Sequence, residues 1–344
     1  MSHPDPAADE LERLFREFPC SPHWGKPEVF ADVVDIGGVR FYLDGLLASA
    51  GAEKTATGSA ASVTGHQLDR AYFELVERTC LLDAIDASVP ERAVLDAAGK
   101  QLGSCDQARA FPVSPAESAW AYARSNGVAA GPDWAAACAA AEAEARERHH
   151  VLSAWYGFAV PVPHPLDDLT LHALSPLYDF EAYSFPAPQN DRPSPSFSVI
   201  GCFGFPKATG APFVAGFGAA LDVSNAERRA VGETLQRLGF LWGEAIPDSE
   251  PPLARTADYH QELYLWPPMQ RRVRAWLAGE HAGCCGAFPP QIASHPGFID
   301  ITPVHLAPRL RVAKMITGLG LPLTFGLGHP QVERAAALGA HPIA

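Results

Sequence analysis

The sequence predicts an α/β (α+β) fold built from mixed sheets and from helices that carry paired glutamates. Three long helical segments alternate with segments rich in β-branched, aromatic and glycine residues, which are typical of strands. Hydrophobic residues make up 47% of the 344 residues, which is enough for a sizeable buried core. Because no shift in composition divides the chain cleanly, we expect a core domain over residues 57–344 and an N-terminal elaboration over residues 1–56.

The N-terminal part of the sequence leads into the first long helix. A short amphipathic helix near Glu10–Phe18 precedes a hairpin over residues 34–44, whose turn is the pair Gly37-Gly38. A stretch of small residues, 55–65, then connects to the helix. The helix covers His66–Ile85, because apolar residues recur there at helical spacing.

The middle of the chain contains the second long helix between two irregular segments. Residues 112–132 are loop-like, and residues 160–195 are rich in proline and polar side chains. The helix between them covers Asp133–Tyr156, with Asp133 as the acidic residue at its N-terminus.

The C-terminal part begins with two strands, over residues 195–205 and 211–221. The third long helix follows, with Asp222 or Ser224 as its N-terminal cap and its end near Leu241. A proline-rich connection over residues 247–270 is followed by a helix over residues 271–277. Two strands follow over residues 298–302 and 309–316, and the chain ends in a Gly- and Pro-rich tail.

The charge and the apolar pattern exclude several classes of function. The formal net charge of -13 argues against non-specific binding to nucleic acid or to anionic membranes, both of which need basic patches. No apolar run approaches the roughly 20 residues of a membrane span. The N-terminus lacks the basic and apolar regions of a signal peptide. We therefore expect a cytoplasmic protein.

The cysteines do not form a recognisable pattern. The seven cysteines are scattered and odd in number, which does not indicate a disulfide framework. His281, Cys284, Cys285 and His295 could be imagined as a zinc site, but the spacing is wrong and adjacent cysteines rarely both reach one ion. Buried thiols are the better interpretation.

Three helical segments carry polar side chains at positions that share one helix face. The pairs are Glu74 and Glu77 in FELVER, Glu144 and Glu147 in AEARER, and Glu233 and Gln236 in the third helix, which also carries Arg229. Side chains three or four residues apart lie on one side of a helix. Each helix therefore directs a polar or acidic pair towards one place.

Two interpretations of these pairs stay open from the residues alone. Each pair could belong to a solvated helix face with weak ion pairs, which is the common case. However, Glu74 and Glu77 lie among apolar residues, so their helix has little exposed face. If the two glutamate helices face each other, four carboxylates need cations, and Mg²⁺ commonly bridges carboxylates and nucleotide phosphates. No P-loop, dinucleotide-binding or nucleophile-elbow motif competes.

An ordered series of segments over residues 57–344 resembles the YcaO superfamily. The segments are FELVER, SNGVAAG, AEARER, FGAALDVSNAERRAVGETLQ, the late DITPVHLAPRLRVAKMITGLG and the tail GAHPIA. YcaO enzymes use ATP to activate peptide backbone amides in the biosynthesis of ribosomal peptide natural products. The resemblance implies a YcaO-like fold with its paired glutamates around a nucleotide site, and ATP and Mg²⁺ as cofactors.

The resemblance also implies roles for individual residues. The magnesium ligands would be Glu74, Glu77, Glu144 and Glu147, and the nucleotide-binding residues would be Arg70, Ser125, Asn126, Arg148, Arg229 and Gln236. The catalytic residues would be Arg148, Glu233 and Ala344, the last through its terminal carboxylate as an acid–base group. A frayed tail is the alternative for Ala344.

Parts of the family pattern are missing. Ser59-Ala60-Ala61 replaces a Gly-Lys-Gly run, Pro132 replaces a loop asparagine, and Ala136 replaces an acid. The resemblance implies cyclodehydration of a ribosomally made precursor peptide to an azoline (thiazoline) or a macrocyclic amidine, as in divergent stand-alone members of the bottromycin type. The alternatives are thioamidation with a TfuA-like partner, and a degenerate, non-catalytic protein that binds the peptide or a partner. A leader-binding partner and a homodimer are also expectations.

Overall fold

The strands pair into antiparallel sheets that are distributed over two units of the chain. The computed structural model describes residues 6–52, 54–87, 89–188, 197–284, 296–316 and 320–343. Unit 1 consists of Met1–Phe111, Gly127–Glu142 and Gly297–Ile316, and unit 2 consists of Pro112–Asn126, Ala143–Pro296 and Thr317–Ala344. The predicted mixed α/β fold is confirmed. The predicted domain boundary at residue 57 stays a prediction.

The elements follow one another in a mixed order. The helices are α1 Pro6–Glu17, α2 Leu68–Asp86, α3 Gln107–Ala110, α4 Trp134–Trp155, α5 Leu169–Ala173, α6 Val223–Leu241, α7 Ala257–Leu265, α8 Pro268–Leu277 and α9 Ala335–Leu338. The strands are β1 Glu28–Ile36, β2 Val39–Ala50, β3 Lys54–Ser62, β4 Glu91–Leu95, β5 Gln101–Asp106, β6 Trp120–Tyr122, β7 Val128–Gly131, β8 Val162–His164, β9 Tyr178–Ser184, β10 Ser198–Pro206, β11 Val214–Ala220, β12 Phe298–Asp300, β13 Arg311–Met315 and β14 Thr324–Gly326.

The first sheet of unit 1 has the order β1-β2-β3. The predicted hairpin is confirmed, because Ile36 pairs with Val39 across Gly37 and Gly38, which have φ angles of 60° and 85°. Helix α2 packs on β3 so closely that a Cβ atom at Gly58 would lie 2.0 Å from the backbone oxygen of Ala71. This contact sets the position of α2 against the sheet.

The second sheet of unit 1 has the order β5-β4-β12-β13-β7. Strand β13 pairs antiparallel with β7, which leads directly into α4. Asp133 accepts the backbone N–H of Ala136 at 2.8 Å, so the predicted acidic residue caps the first turn of α4.

Unit 2 contains a sheet of order β11-β10-β9-β8 and the two-stranded sheet β14-β6. Helix α6 packs on β11, where a Cβ atom at Gly216 would lie 2.3 Å from the backbone nitrogen of Thr234. Of the two predicted caps of α6, Asp222 is the one that accepts a backbone N–H, from Asn225 at 3.1 Å. Trp155 and Trp276 lie at the centre of the aromatic core of this unit.

Four segments for which the sequence indicated neither a strand nor a helix contain regular elements. They are residues 55–65, which form most of β3, residues 112–132, which contain β6 and β7, residues 160–195, which contain β8, α5 and β9, and residues 247–270, which contain α7. Small or polar residues have weak intrinsic preferences, and pairing with another strand decides the conformation of the strands, with a distant partner only for β6 and β7. Helix α7 is an exception, since Thr256 caps it locally by accepting the backbone N–H of Tyr259.

In the part of the chain that the structure describes, each helix is too short or too polar to cross a lipid bilayer.

Candidate functional site

Glu74 occupies a half-buried position in the middle of α2. Its Oε2 atom accepts the backbone N–H of Ser59 at 2.7 Å, and its Oε1 atom accepts Nη2 of Arg78 at 2.6 Å. Arg78 also donates through Nη1 to the carbonyl and the hydroxyl of Thr57, at 3.0 and 2.7 Å. The carboxylate is therefore held in one orientation between β3 and α2.

Glu77 is also half-buried on α2, and its Oε2 atom accepts the backbone N–H of Ala130 on β7 at 3.0 Å. Of the residues of α2, Asp69, Arg70 and Asp86 are exposed. Both carboxylates of the first glutamate pair meet backbone donors of neighbouring strands, and Glu74 also forms an ion pair with Arg78 on the same helix. Their role as magnesium ligands stays a prediction.

Glu147 lies on α4 in unit 2 and is buried. Burial raises the pKa of its carboxyl group, the charges of Arg148 and Arg229 lower it, and the nearby carboxylates of Glu233 and Glu144 raise it. Together these effects place the pKa at about 8. The structure thus brings four other predicted site residues close enough to act on the carboxyl group of Glu147.

Arg148 forms an ion pair with Glu147, with 3.0 Å between its Nη1 atom and Oε1 of Glu147. Burial lowers the pKa of Arg148, but the carboxylates around it outweigh this effect and raise the pKa overall, so the guanidinium remains charged. Its Nε atom is buried and has no hydrogen-bond acceptor among the described residues. A buried N–H without an acceptor is unusual and is well suited to an anionic ligand.

Glu233 on α6 is held in the same manner as Glu74. Its Oε2 atom accepts the backbone N–H of Phe217 on β11 at 3.0 Å, and its Oε1 atom lies 3.4 Å from Nε of Arg237. Arg229 is exposed one turn earlier on this helix and donates to the carbonyl of Ala219 at 2.9 Å. Gln236 is half-buried on α6.

The remaining predicted nucleotide-binding residues have different surroundings. Arg70 is exposed near the start of α2, and Ser125 is exposed in the turn before β7. Asn126 is buried in that turn, and its backbone N–H donates to the carbonyl of Ala123 at 3.2 Å. Their roles as nucleotide contacts stay predictions.

The C-terminal tail is buried up to its last described residue, Ile343. Tyr264 donates its hydroxyl to the carbonyl of Ala340, and Nδ1 of His260 donates to the carbonyl of His341. Burial lowers the pKa of His341 well below its usual range, and the charge of Arg148 lowers it further. The described tail is therefore anchored rather than frayed. Ala344 lies outside the described residues, and its catalytic role stays a prediction.

The structure describes two of the four residues considered for a zinc site, His281 and Cys284. Nδ1 of His281 donates to the carbonyl of Trp155, and Cys284 is exposed, which corrects the expectation of a buried thiol. Cys285 and His295 lie outside the described residues. Over the described ranges, no three His, Cys, Asp or Glu side chains form a group that could hold a metal ion.

These donors are compatible with magnesium bound together with a nucleotide. Mg²⁺ usually takes one or two carboxylates from the protein and the rest of its ligands from phosphates and water, rather than a cage of protein side chains. Paired glutamates with a buried arginine nearby supply the negative and positive charges that such a complex needs. The acceptor-free Nε of Arg148 fits a phosphate oxygen.

Arg78 and Arg237 are the contacts that the sequence interpretation missed. It singled out the glutamates, Gln236 and Arg148, but gave no role to Arg78 or Arg237, which follow the other two pairs. The pattern E-x-x-E/Q-R occurs at residues 74–78, 144–148 and 233–237. Comparison of the three segments would have indicated that an arginine accompanies each pair.

Several solved structures share the fold of this chain. YcaO from Methanopyrus kandleri bound with AMPPCP and Mg²⁺ is 13% identical, with a TM-score of 0.58 over 91% of this chain and 90% of that chain. The E. coli microcin synthetase McbBCD complex with pro-MccB17 bound is 10% identical, with a TM-score of 0.56 over 86% and 88% of the two chains. A heterocyclase in complex with substrate and cofactor is 17% identical, with a TM-score of 0.51 over 90% of this chain and 52% of that chain. At these identities the similarity concerns the fold.

No curated protein matches the sequence significantly. A family model does match: that of the YcaO cyclodehydratases, described as ATP- and Mg²⁺-binding, which covers residues 106–295. The matched range contains the glutamate pair of α4 and the polar residues of α6, while Glu74 and Glu77 lie before it. Because the matched range is more than half of the sequence, the chain belongs to the YcaO family.

Proposed function

We propose that this protein is an ATP- and Mg²⁺-dependent cyclodehydratase that activates a backbone amide of a ribosomally made precursor peptide. The observation that carries the proposal is the charge cluster around Glu147 and Arg148, which lies within the range matched by the family. The product would be an azoline (thiazoline) or a macrocyclic amidine. The structures of relatives with a substrate or with pro-MccB17 bound support a peptide as the substrate class.

The proposed roles follow from the contacts of each side chain. Glu74, Glu77, Glu144 and Glu147 would bind Mg²⁺, and Arg70, Ser125, Asn126, Arg148, Arg229 and Gln236 would contact the nucleotide. Bound ATP supplies a phosphoryl group that turns the amide oxygen into part of a phosphate leaving group. Arg148 holds a buried positive charge where phosphate charge is expected, and this preorganised charge costs no rearrangement during the reaction. Glu233 keeps its orientation through Phe217 and Arg237.

Isothermal titration calorimetry with a non-hydrolysable ATP analogue and Mg²⁺ tests the proposal. We expect wild-type binding in the micromolar range, and a loss of at least tenfold in Glu74→Gln and Glu147→Gln, since metal-ligand substitutions remove a direct contact. Glu262→Gln is the matched control, because Glu262 is an exposed glutamate on α7 outside the proposed site. Equal affinity in all four proteins would contradict the assignment of the glutamates.

A non-catalytic, peptide-binding protein is the second candidate function, favoured by Ser59, Pro132 and Ala136 where the family pattern has other residues. In the structure, the backbone N–H of Ser59 donates a hydrogen bond to the carboxylate of Glu74, one of the proposed magnesium ligands. If the wild-type protein binds no nucleotide in the presence of magnesium and of candidate precursor peptides, this second function replaces the first.

A further inference from the structure

Helices α2 and α6 each follow the last strand of an antiparallel sheet and pack directly on that strand. In both places a glycine allows the contact. A Cβ atom at Gly58 on β3 would lie 2.0 Å from the oxygen of Ala71, and one at Gly216 on β11 would lie 2.5 Å from the oxygen of Ala230. No side chain larger than hydrogen fits at either glycine without moving the helix.

The residue after each glycine donates its backbone N–H to a glutamate of the helix. Ser59 donates to Oε2 of Glu74 at 2.7 Å, and Phe217 donates to Oε2 of Glu233 at 3.0 Å. In both cases the glutamate is three residues after the alanine that touches the glycine. The two strand–helix pairs therefore share one local geometry.

The second oxygen of each glutamate faces an arginine four residues later. Nη2 of Arg78 donates to Oε1 of Glu74 at 2.6 Å, and Nε of Arg237 lies 3.4 Å from Oε1 of Glu233. Glutamate N-terminal to its basic partner at this spacing is the favourable order on a helix. The equivalent residues are Gly58 and Gly216, Ser59 and Phe217, Ala71 and Ala230, Glu74 and Glu233, Leu75 and Thr234, Glu77 and Gln236, and Arg78 and Arg237.

We propose that Arg78 and Arg237 are matched positioning residues, which fix the carboxylates of Glu74 and Glu233 before a cation or nucleotide binds. The inference rests on the proposed function. Neither arginine has to touch the ligand, because each acts through the glutamate that it binds. Arg78 is itself fixed by two bonds to Thr57.

The physical benefit is lower disorder of the ligand-binding carboxylates. A free glutamate side chain loses rotamer freedom when it binds a ligand. A strand N–H on one oxygen and a guanidinium on the other already restrict it, so binding costs less free energy. Partners that orient the ligands of a metal ion typically change its affinity by about 10- to 100-fold.

The variants Arg78→Met and Arg237→Met test the inference, with Arg78→Lys and Arg237→Lys as charge-retaining variants. We expect the Mg²⁺ concentration for half-maximal binding of the ATP analogue to rise by roughly tenfold in Arg78→Met, because its partner Glu74 is a proposed magnesium ligand, and to recover mostly in Arg78→Lys. Glu233, the partner of Arg237, is a proposed catalytic residue, so the effect of Arg237→Met is measured by the position of the Glu233 carboxylate. Arg228→Met is the control, because Arg228 is exposed on α6 and contacts Asn225. Circular dichroism establishes that each variant is folded.

Crystal structures of the same variants without nucleotide give a readout that does not depend on the proposed function. We expect the carboxylate of Glu74 to leave the N–H of Ser59 in Arg78→Met, and that of Glu233 to leave Phe217 in Arg237→Met. Unmoved carboxylates in either variant, or an unchanged magnesium requirement in Arg78→Met, would overturn the inference. If the wild-type protein binds no nucleotide, the proposed function fails. The crystal structures alone then show whether Arg78 and Arg237 hold the carboxylates of Glu74 and Glu233 in place.

Discussion

At Glu147, burial and the charge of Arg148 shift the pKa in opposite directions. Its pKa of about 8 means that the carboxyl group is mostly protonated at neutral pH in the absence of a cation. A carboxylate that binds Mg²⁺ must be ionised, so binding should release this proton. The raised pKa is therefore a property that links the site to pH.

We expect the magnesium complex of the ATP analogue to bind with the release of nearly one proton from Glu147 at pH 7. Calorimetry in two buffers of different ionisation enthalpy measures the number of protons released. Glu147→Gln should release fewer, since it has no carboxyl group to ionise. Equal proton release by wild type and variant would show that Glu147 is not the group that titrates.

At the scale of the element, the glycines of β3 and β11 determine how close the helices α2 and α6 come to their sheets. The contact joins backbone to backbone, so a side chain there cannot simply rotate away. Helix α6 also contains Gly232, where an added Cβ atom would have no atom within 4 Å apart from the neighbouring backbone of the helix itself. We therefore expect a change from glycine to alanine to destabilise the protein at the strand glycines, which contact a helix, and to stabilise it at Gly232, which has free space around it.

Gly216→Ala should lower the free energy of unfolding by at least about 2 kcal/mol, because the added methyl group must displace α6 from β11. Gly232→Ala should raise it by about 1 kcal/mol through helix propensity. Urea denaturation followed by circular dichroism measures both. Similar destabilisation by the two substitutions would mean that the strand–helix contact is not tight.

The elements with local signals were predictable from the sequence, and those that depend on distant partners were not. The hairpin at Gly37-Gly38 and the capped helix after Asp222 are decided by neighbouring residues. Strand β7 exists because β13, far along the chain, pairs with it. The same holds at the site: the spacing in α2 indicated Glu74 and Glu77, but only the fold shows that Ser59 binds one of them.

At the scale of the whole molecule, the described histidines of unit 2 include a large group that is buried and neutral. The pKa is lowered by burial for His149, His150, His260, His281, His329 and His341. For His150, His260 and His329 it falls to about 4. An unfolded chain binds protons on these rings at higher pH than the folded chain does.

The free energy of unfolding should therefore fall as the pH decreases from about 6.5 towards 4, since the unfolded state takes up more protons there. Glu147, whose pKa is raised, acts in the opposite direction, and its contribution is lost as the pH rises from about 4.5 to 8. Stability should thus be greatest near pH 6.5 to 7. Urea denaturation at pH 5, 6, 7 and 8 measures this, and equal stability at pH 5 and 7 would contradict it.

The order of the strands in unit 1 has a consequence for synthesis on the ribosome. In the sheet β5-β4-β12-β13-β7, the two strands that join β4 to β7 come from residues 298–315, long after both of their neighbours. At a translation rate of about 5–20 residues per second, β7 waits roughly 10 to 40 s for β13 to be made. During that interval the edges of β4 and β7 that later pair with β12 and β13 are unpaired in the nascent chain, so chaperone supply during translation should improve the yield of folded protein.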